Sequence, residues 1–292
     1  MWVVQALLVM FLWAACFPLI ALGMKGAPPL HFAAMRALLS GLALLLVAVA
    51  LRQPLPRDTK TWLQLGGIGL GATTLAFIGM FHASEFISPG LATVISNTQP
   101  LLAGVVGFLI LNERLGKLGI AGLILGFTGI VFIAWPGISV AGMNFVTGLA
   151  YLLLAAIGIT ISNVLIRQIA GTIDAVVAMA IQLLIGAVPL VVAAVLMENT
   201  RDIAWTGAFT TSLLSLSLAG TALAYWLWCK VLETVELNRT NVFTYLVPVL
   251  GLMMGALFYD EWIGITTILG VLLTLAAISL VNVKTSPPER SP

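Results

Sequence analysis

VISNTQPLLAGVVGFLILNERLG, residues 94–116, is an apolar run with one proline inside it and a charged turn at its end. The pattern returns 148 residues later as VFTYLVPVLGLMMGALFYDEWIG, residues 242–264. Val94 meets Val242, Pro100 meets Pro248, Gly107 meets Gly255, Glu113 meets Glu261 and Gly116 meets Gly264, without a gap. The register continues outward: Thr73 and Ala76 meet Thr221 and Ala224, Glu85 meets Glu233, and Gly122 meets Gly270. Nearer the N-terminus the offset becomes 145, where Leu38, Leu39 and Gly41 meet Leu183, Leu184 and Gly186. The chain therefore reads as two copies of one unit, residues 1–138 and 139–292.

Each copy is too apolar for water. Of 292 residues 61% are hydrophobic and 8% charged, against about 25% charged in a soluble domain. One soluble core of this size cannot hide so much apolar surface. Lipid is the solvent that fits. A net charge of +2 with no long basic run speaks against a nucleic-acid partner. Cys16 and Cys229 form neither a disulfide framework nor a metal-ligand spacing, so no cofactor or metal is expected. Met1–Leu22 lacks the basic start of a secretion signal and reads as a permanent first span.

A helix needs about 20 apolar residues to cross the hydrocarbon. Ten such spans fit, near 3–23, 30–51, 62–82, 89–111, 116–135, 144–165, 174–197, 208–229, 240–259 and 263–283. The expectation is an all-α integral membrane protein. With both termini in the cytoplasm, that side holds Arg52, Arg57, Lys60, Arg114, Lys117, Arg167, Lys230, Arg239, Lys284 and Arg290. The opposite side holds only Lys25 and Arg201, which agrees with the positive-inside rule for an inner membrane. Five spans per copy is odd, so the copies must be inverted. The charges follow the inversion: Glu113 is trailed by Arg114 and Lys117, whereas Glu261 has Trp262 and Ile265 at those places. Inverted repeats are a usual frame of secondary transporters, with the solute near the midplane.

Residues 88–115, ending Leu111-Asn112-Glu113-Arg114-Leu115, resemble the end of an EamA repeat, with Asn112 where glycine is common. Tyr225-Trp226-Leu227-Trp228 through Tyr245-Leu246-Val247-Pro248 and Asp260-Glu261 resemble its second copy. Trp13 and Arg36 stand where the family often has Trp in its first span and Arg in its second. The resemblance covers nearly the whole chain and implies the drug/metabolite transporter superfamily, with ten helices. Within it the chain most resembles YddG-type exporters of aromatic amino acids and methionine.

The residues themselves supply candidates. Pro100 and Pro248, inside the fourth and ninth spans, each remove a backbone hydrogen bond. They are either hinges, whose freed carbonyls at Ser96 and Thr244 face a wet cavity, or tolerated kinks. Thr93, Asn97, Pro100 and Gly104 share one helical face, mirrored by Asn241, Tyr245, Pro248 and Leu252. These stripes either line a cavity or bond helix to helix. Trp13 lies mid-span, as a cavity wall or as core, and Tyr225 mirrors Phe77. Trp226 and Trp228 read as an interfacial belt. Arg36, the one cation inside a span, could snorkel, bond free carbonyls or receive a solute carboxylate. Glu113 and Glu261 read as caps for the helices they precede. Gly119, Gly122, Gly126 and Gly129 read as a close-packing seam.

No acid lies at mid-membrane, which argues against a multidrug-type cation site and weakens proton coupling. Arg36 alone is a thin supply for phosphate. A neutral or zwitterionic small molecule with an apolar group, such as an amino acid, suits what remains. No convergent set of acid, base and nucleophile occurs within the spans, so an enzyme is not expected. Short loops leave little for a scaffold or complex subunit to dock with. The other transport reading is an exporter of different metabolites or drugs. One chain supplies both halves of a site, so a monomer suffices.

Overall fold

The computed structural model describes residues 2–97, 117–141, 143–169, 171–234, 243 and 246–282. Pro100, Gly104, Glu113, Asn241 and Tyr245 lie outside the described residues. The first span is α1 (Trp2–Ala14) followed by α2 (Cys16–Gly23). The second is α3 (Pro29–Ala50). The third runs through α4 (Thr59–Ile68), a π-helical stretch Gly69–Leu75 and α5 (Ala76–Ala83). Then come α6 (Pro89–Ser96), α7 (Lys117–Ala141), α8 (Met143–Ile169) and α9 (Ala175–Met197). The span at 207 repeats the third: α10 (Gly207–Leu214), a π-helical stretch Ser215–Leu223 and α11 (Ala224–Thr234). The last helices are α12 (Leu246–Tyr259) and α13 (Ile265–Asn282).

Six helical stretches are long and apolar enough to cross a membrane, and shorter apolar helices accompany them. The burial pattern suits lipid. Leu46, Leu63, Leu196 and Leu257 are 71–78% exposed, while Ser40, Thr73, Ser162 and Ser212 are fully enclosed. In water that arrangement would be inside out; in hydrocarbon each enclosed hydroxyl needs a partner within the bundle. The chain is a multi-pass membrane protein.

Helix pairing follows the sequence repeat. α3 lies along α9, α6 along α12 and α7 along α13, so matched helices of the two copies pack on each other. α1 packs on α11 and α5 on α8, an exchange that also respects the repeat. Small residues allow the close approaches. A Cβ on Gly129 would stand 2.8 Å from the Gly270 carbonyl oxygen, and Gly122 and Gly126 are buried beside it in sequence.

The two π stretches end at Leu75 and Leu223, which are partners at the offset of 148. Each widened turn leaves backbone carbonyls without an i+4 donor, and threonines supply one. Thr74 Oγ1 donates to the Gly69 carbonyl at 3.4 Å, and Thr221 Oγ1 to the Leu216 carbonyl at 2.9 Å.

Helix starts are capped in two ways. Asp58 caps α4 by accepting from the Thr61 N–H at 2.8 Å; hydrogen bonds from Thr61, its side chain foremost, hold the Asp58 carboxyl below the usual carboxylate range. Asp174 caps α9 through Val176 N–H at 2.8 Å. By contrast, α3 and α6 begin on prolines and borrow carboxylates from distant segments. Glu198 accepts from the Leu30 and His31 N–H groups at 2.8 and 2.9 Å. Glu261 accepts from Ser88 Oγ at 2.8 Å and Gly90 N–H at 2.7 Å. This corrects the expectation that Glu261 caps its own helix. The chain leaves α12 through Asp260 in the left-handed region (φ 51°), α13 starts only at Ile265, and the carboxylate turns to α6.

α7 also continues past the expected end at 135, carrying Pro136 within it. A proline's φ fits a helix, and one lost hydrogen bond does not end a helix packed along its length on α13.

Candidate functional site

Helix one is interrupted where the strongest cluster of polar and aromatic groups gathers. Pro18 has no N–H for the Ala14 carbonyl, so the helix breaks at Ala15. Its position inside an apolar span is the signal in the sequence for this break, and it was not among the candidates. Around the break, other segments take up carbonyl oxygens: Tyr259 OH donates to Pro18 and Ser212 Oγ to Leu19.

Arg36 comes to this break from α3. It starts about 10 Å along the helix, at 1.5 Å per residue from Pro29. It does not snorkel: the residue is 4% exposed. Its Nε and Nη2 donate to Thr221 Oγ1 at 3.2 and 3.1 Å, and Nη2 also reaches Cys16 Sγ at 3.6 Å. The guanidinium carbon lies 4.6 Å over the Phe77 ring and 5.9 Å from that of Phe81. Nη1 is buried and has no hydrogen-bond partner among the described residues. Among the described residues the ion pair present is His31–Glu198, so no carboxylate neutralises Arg36.

One helical turn away stands an aromatic wall. Trp13 precedes Cys16 by three residues, and Tyr225 follows Thr221 by four. Their rings meet edge to face at 6.4 Å, and Trp13 also lies 5.4 Å from Trp228. Trp228 thus packs inward against the first span. Trp226 is likewise half-buried against the core. The reason is geometric: α1 and α11 pack together, and their facing side is the aromatic one.

The other copy carries a neutral counterpart. Thr73, the offset partner of Thr221, donates through Oγ1 to Gln182 Oε1 on α9 at 2.7 Å. Gln182 stands on α9 one residue past Ile181, the offset partner of Arg36, and like Arg36 it faces the π stretch of the opposite copy. Thr221 and Gln182 were not among the sequence candidates; the Thr73–Thr221 match was the available signal.

Thr93 and Asn97 belong to a different contact, α6 against α12. Thr93 is enclosed against Gly251, and its hydroxyl donates to the Pro89 carbonyl at 2.7 Å. Asn97 is half-buried at the end of α6 and donates from Nδ2 to the Thr93 carbonyl at 2.8 Å. Pro248 is buried near the start of α12. Of the candidates, the structure therefore brings together Trp13 and Tyr225, with Arg36 a turn away, and holds Thr93 with Asn97 on a separate helix. Pro100, Asn241 and Tyr245 fall outside the described residues.

A family model described as "EamA-like transporter family" matches residues 1–135 and again 146–283. An uncharacterized transporter, YvbV, of Bacillus subtilis strain 168 is 31% identical over 287 residues, covering 96% of this chain and 92% of its own length. A protein of Escherichia coli K12 named "probable amino-acid metabolite efflux pump" is 29% identical over 287 residues, covering 94% of this chain and 92% of its own. A solved crystal structure superposes with a TM-score of 0.69 over 96% of this chain and 97% of that one. At 18% identity that likeness speaks to the fold alone.

Proposed function

The chain belongs to the EamA-like transporter family, and from that premise we propose that it exports small amphipathic metabolites, above all amino acids with aromatic or thioether side chains. It works by alternating access between two inverted five-helix halves, residues 1–138 and 139–292, ten spans in all. Both termini face the cytoplasm across an inner membrane. The solute passes between the halves, against Trp13, Arg36, Tyr225, Thr93, Asn97, Asn241 and Tyr245. Pro100 and Pro248 act as hinges.

The observation that carries this reading is the break in helix one, where a cation and three aromatics meet at the contact of the two copies. A packed seam between equal halves needs neither a charge nor an indole at that place. A rocking pair of halves with a solute between them uses both: the apolar wall takes a side group and the polar head is met one turn away. The name of the Escherichia coli relative points to the same class of cargo.

Purified protein in liposomes loaded with a mixture of labelled amino acids tests it. Selective release of Met, Phe, Tyr or Trp above protein-free liposomes is the expected result. Absence of release by folded protein, with a gradient in either direction, overturns the amino-acid reading and favours another metabolite or drug. The double substitution Pro100→Ala, Pro248→Ala is expected to slow release at least about fivefold at unchanged solute binding, a barrier change near 1 kcal/mol. Release at the wild-type rate removes the hinge role.

A further inference from the structure

We propose that Arg36 is the receptor for the solute's carboxylate, so that the carrier selects for carboxylate-bearing solutes and rejects the same skeletons when that group is masked. The inference rests on the transport reading above and names the group that reading leaves open.

The donor count is the first ground. A guanidinium has five N–H donors in a fixed fork. Three are engaged: Nε on Thr221, and Nη2 on Thr221 and Cys16. The two on Nη1 have no partner among the described residues, although the side chain is almost wholly enclosed. Buried donors without acceptors are costly, and a buried charge without a counter-charge is costlier. Phe77 and Phe81 cover the guanidinium with their π faces, which offsets part of that cost while leaving the Nη1 edge unmet.

The second ground is an internal control. The other half makes its own contact between α9 and a π stretch with Gln182, one residue past the register partner of Arg36, on Thr73, neutral and at 2.7 Å. A helix-to-π-stretch contact in this fold therefore needs no charge. At Arg36 the same contact is made with Thr221, and a cation is added to it. Structure alone does not call for the addition; an anionic solute group does.

The third ground is spacing. Trp13 and Tyr225 lie one turn from Cys16 and Thr221, a rise of about 5 Å. That is the scale separating an α-carboxylate from the far end of an apolar amino-acid side chain. One free nitrogen, Nη1, with two diverging N–H groups, can meet one oxygen of a carboxylate and falls short of a phosphate dianion.

The test uses the full-length protein in detergent and follows melting temperature and tryptophan fluorescence with four probes: L-phenylalanine, 3-phenylpropionate, L-methionine and L-phenylalaninamide. The three carboxylates are expected to bind, and the carboxamide to need about ten- to hundredfold higher concentration, the value of a charge-assisted hydrogen-bonded pair. Arg36→Gln is expected to erase that ratio, and Arg36→Lys to restore part of it. A purely structural Arg36 would lower stability without changing the ratio. The wild-type ratio needs no variant, so a misfolded Arg36→Gln does not shelter the idea. Equal binding of carboxamide and acid, or no binding of any carboxylate, overturns it. If wild-type liposomes still release amino acids in that case, the transport reading stands; if they release nothing, that reading falls as well.

Discussion

Gly69→Val is expected to abolish well-folded protein or to lower its stability by about 3 kcal/mol, the upper end of the overpacking range. Gly69 sits at the start of the first π stretch, where that stretch crosses α9. A Cβ there would stand 2.6 Å from the Gln182 carbonyl oxygen and 3.0 Å from the Gly186 nitrogen. Both are backbone atoms of a helix and cannot swing aside. Gly186 is crowded in return by the Gly69 carbonyl and by Thr73. Separation of the helices would also break two bonds within the seam, Thr73 to Gln182 at 2.7 Å and Thr74 to the Gly186 carbonyl at 2.8 Å. Gly66 on the same span is the control, because nothing lies within 4 Å of its Cβ position. Gly66→Ala is expected to be neutral or to gain up to about 1 kcal/mol from helix propensity. Monodispersity and melting in detergent, read for both variants, decide the matter. A Gly69→Val protein that melts with the wild type would mean that this crossing is looser than its atoms indicate.

The fold was legible because lipid simplifies the code. Every span must close its own hydrogen bonds, so length and apolarity locate helices directly. The repeat then proved informative about packing: the second, fourth and fifth spans pair with their sequence matches, while the first and third pack by exchange, α1 on α11 and α5 on α8. Asn112 and Asp260 illustrate how a family position carries physics. Asp260 takes a left-handed φ of 51°, a conformation that glycine, asparagine and aspartate tolerate best. Its repeat partner Asn112 belongs to the same short list of residues.

The site was less legible, for reasons that can be named. Trp13 and Tyr225 stand in different copies, and only the α1–α11 contact joins them. Thr221 looks like any small polar residue until Arg36 arrives from 185 positions away. The π stretches leave no periodicity signal, since one inserted residue per turn shifts the helical face without changing composition. Glu261 was misread because a carboxylate four residues before a helix is a local cap by sequence, while the left-handed turn at Asp260 aims it elsewhere. What sequence lacks is the partner across the bundle.

The same logic gives the second large effect, at Glu198. Helix α3 starts Pro28-Pro29, so two of the N–H groups that usually stand open at a helix start do not exist. Phe32 N–H bonds the Pro28 carbonyl at 3.0 Å. The donors left are Leu30 and His31, and each takes one oxygen of Glu198, at 2.8 and 2.9 Å. His31 Nδ1 shares the second oxygen at 2.9 Å. One carboxylate therefore completes the start of α3 and ties it to the end of α9, its matched helix. Glu198→Ala is expected to cost about 3 kcal/mol, since it leaves donors at a part-buried helix start without an acceptor. The melting temperature should fall by about 6–12 °C on the scale of chains this long. Glu198→Gln should fall between, because its single carbonyl oxygen accepts from one N–H while its NH2 faces the other donor. His31→Phe should cost less than Glu198→Ala, since it removes only the ring contact and leaves both backbone bonds. If Glu198→Ala melts within about 1 °C of the wild type, water at the membrane surface is satisfying these donors as well as the carboxylate does, and the tie between α3 and α9 rests on their apolar packing alone.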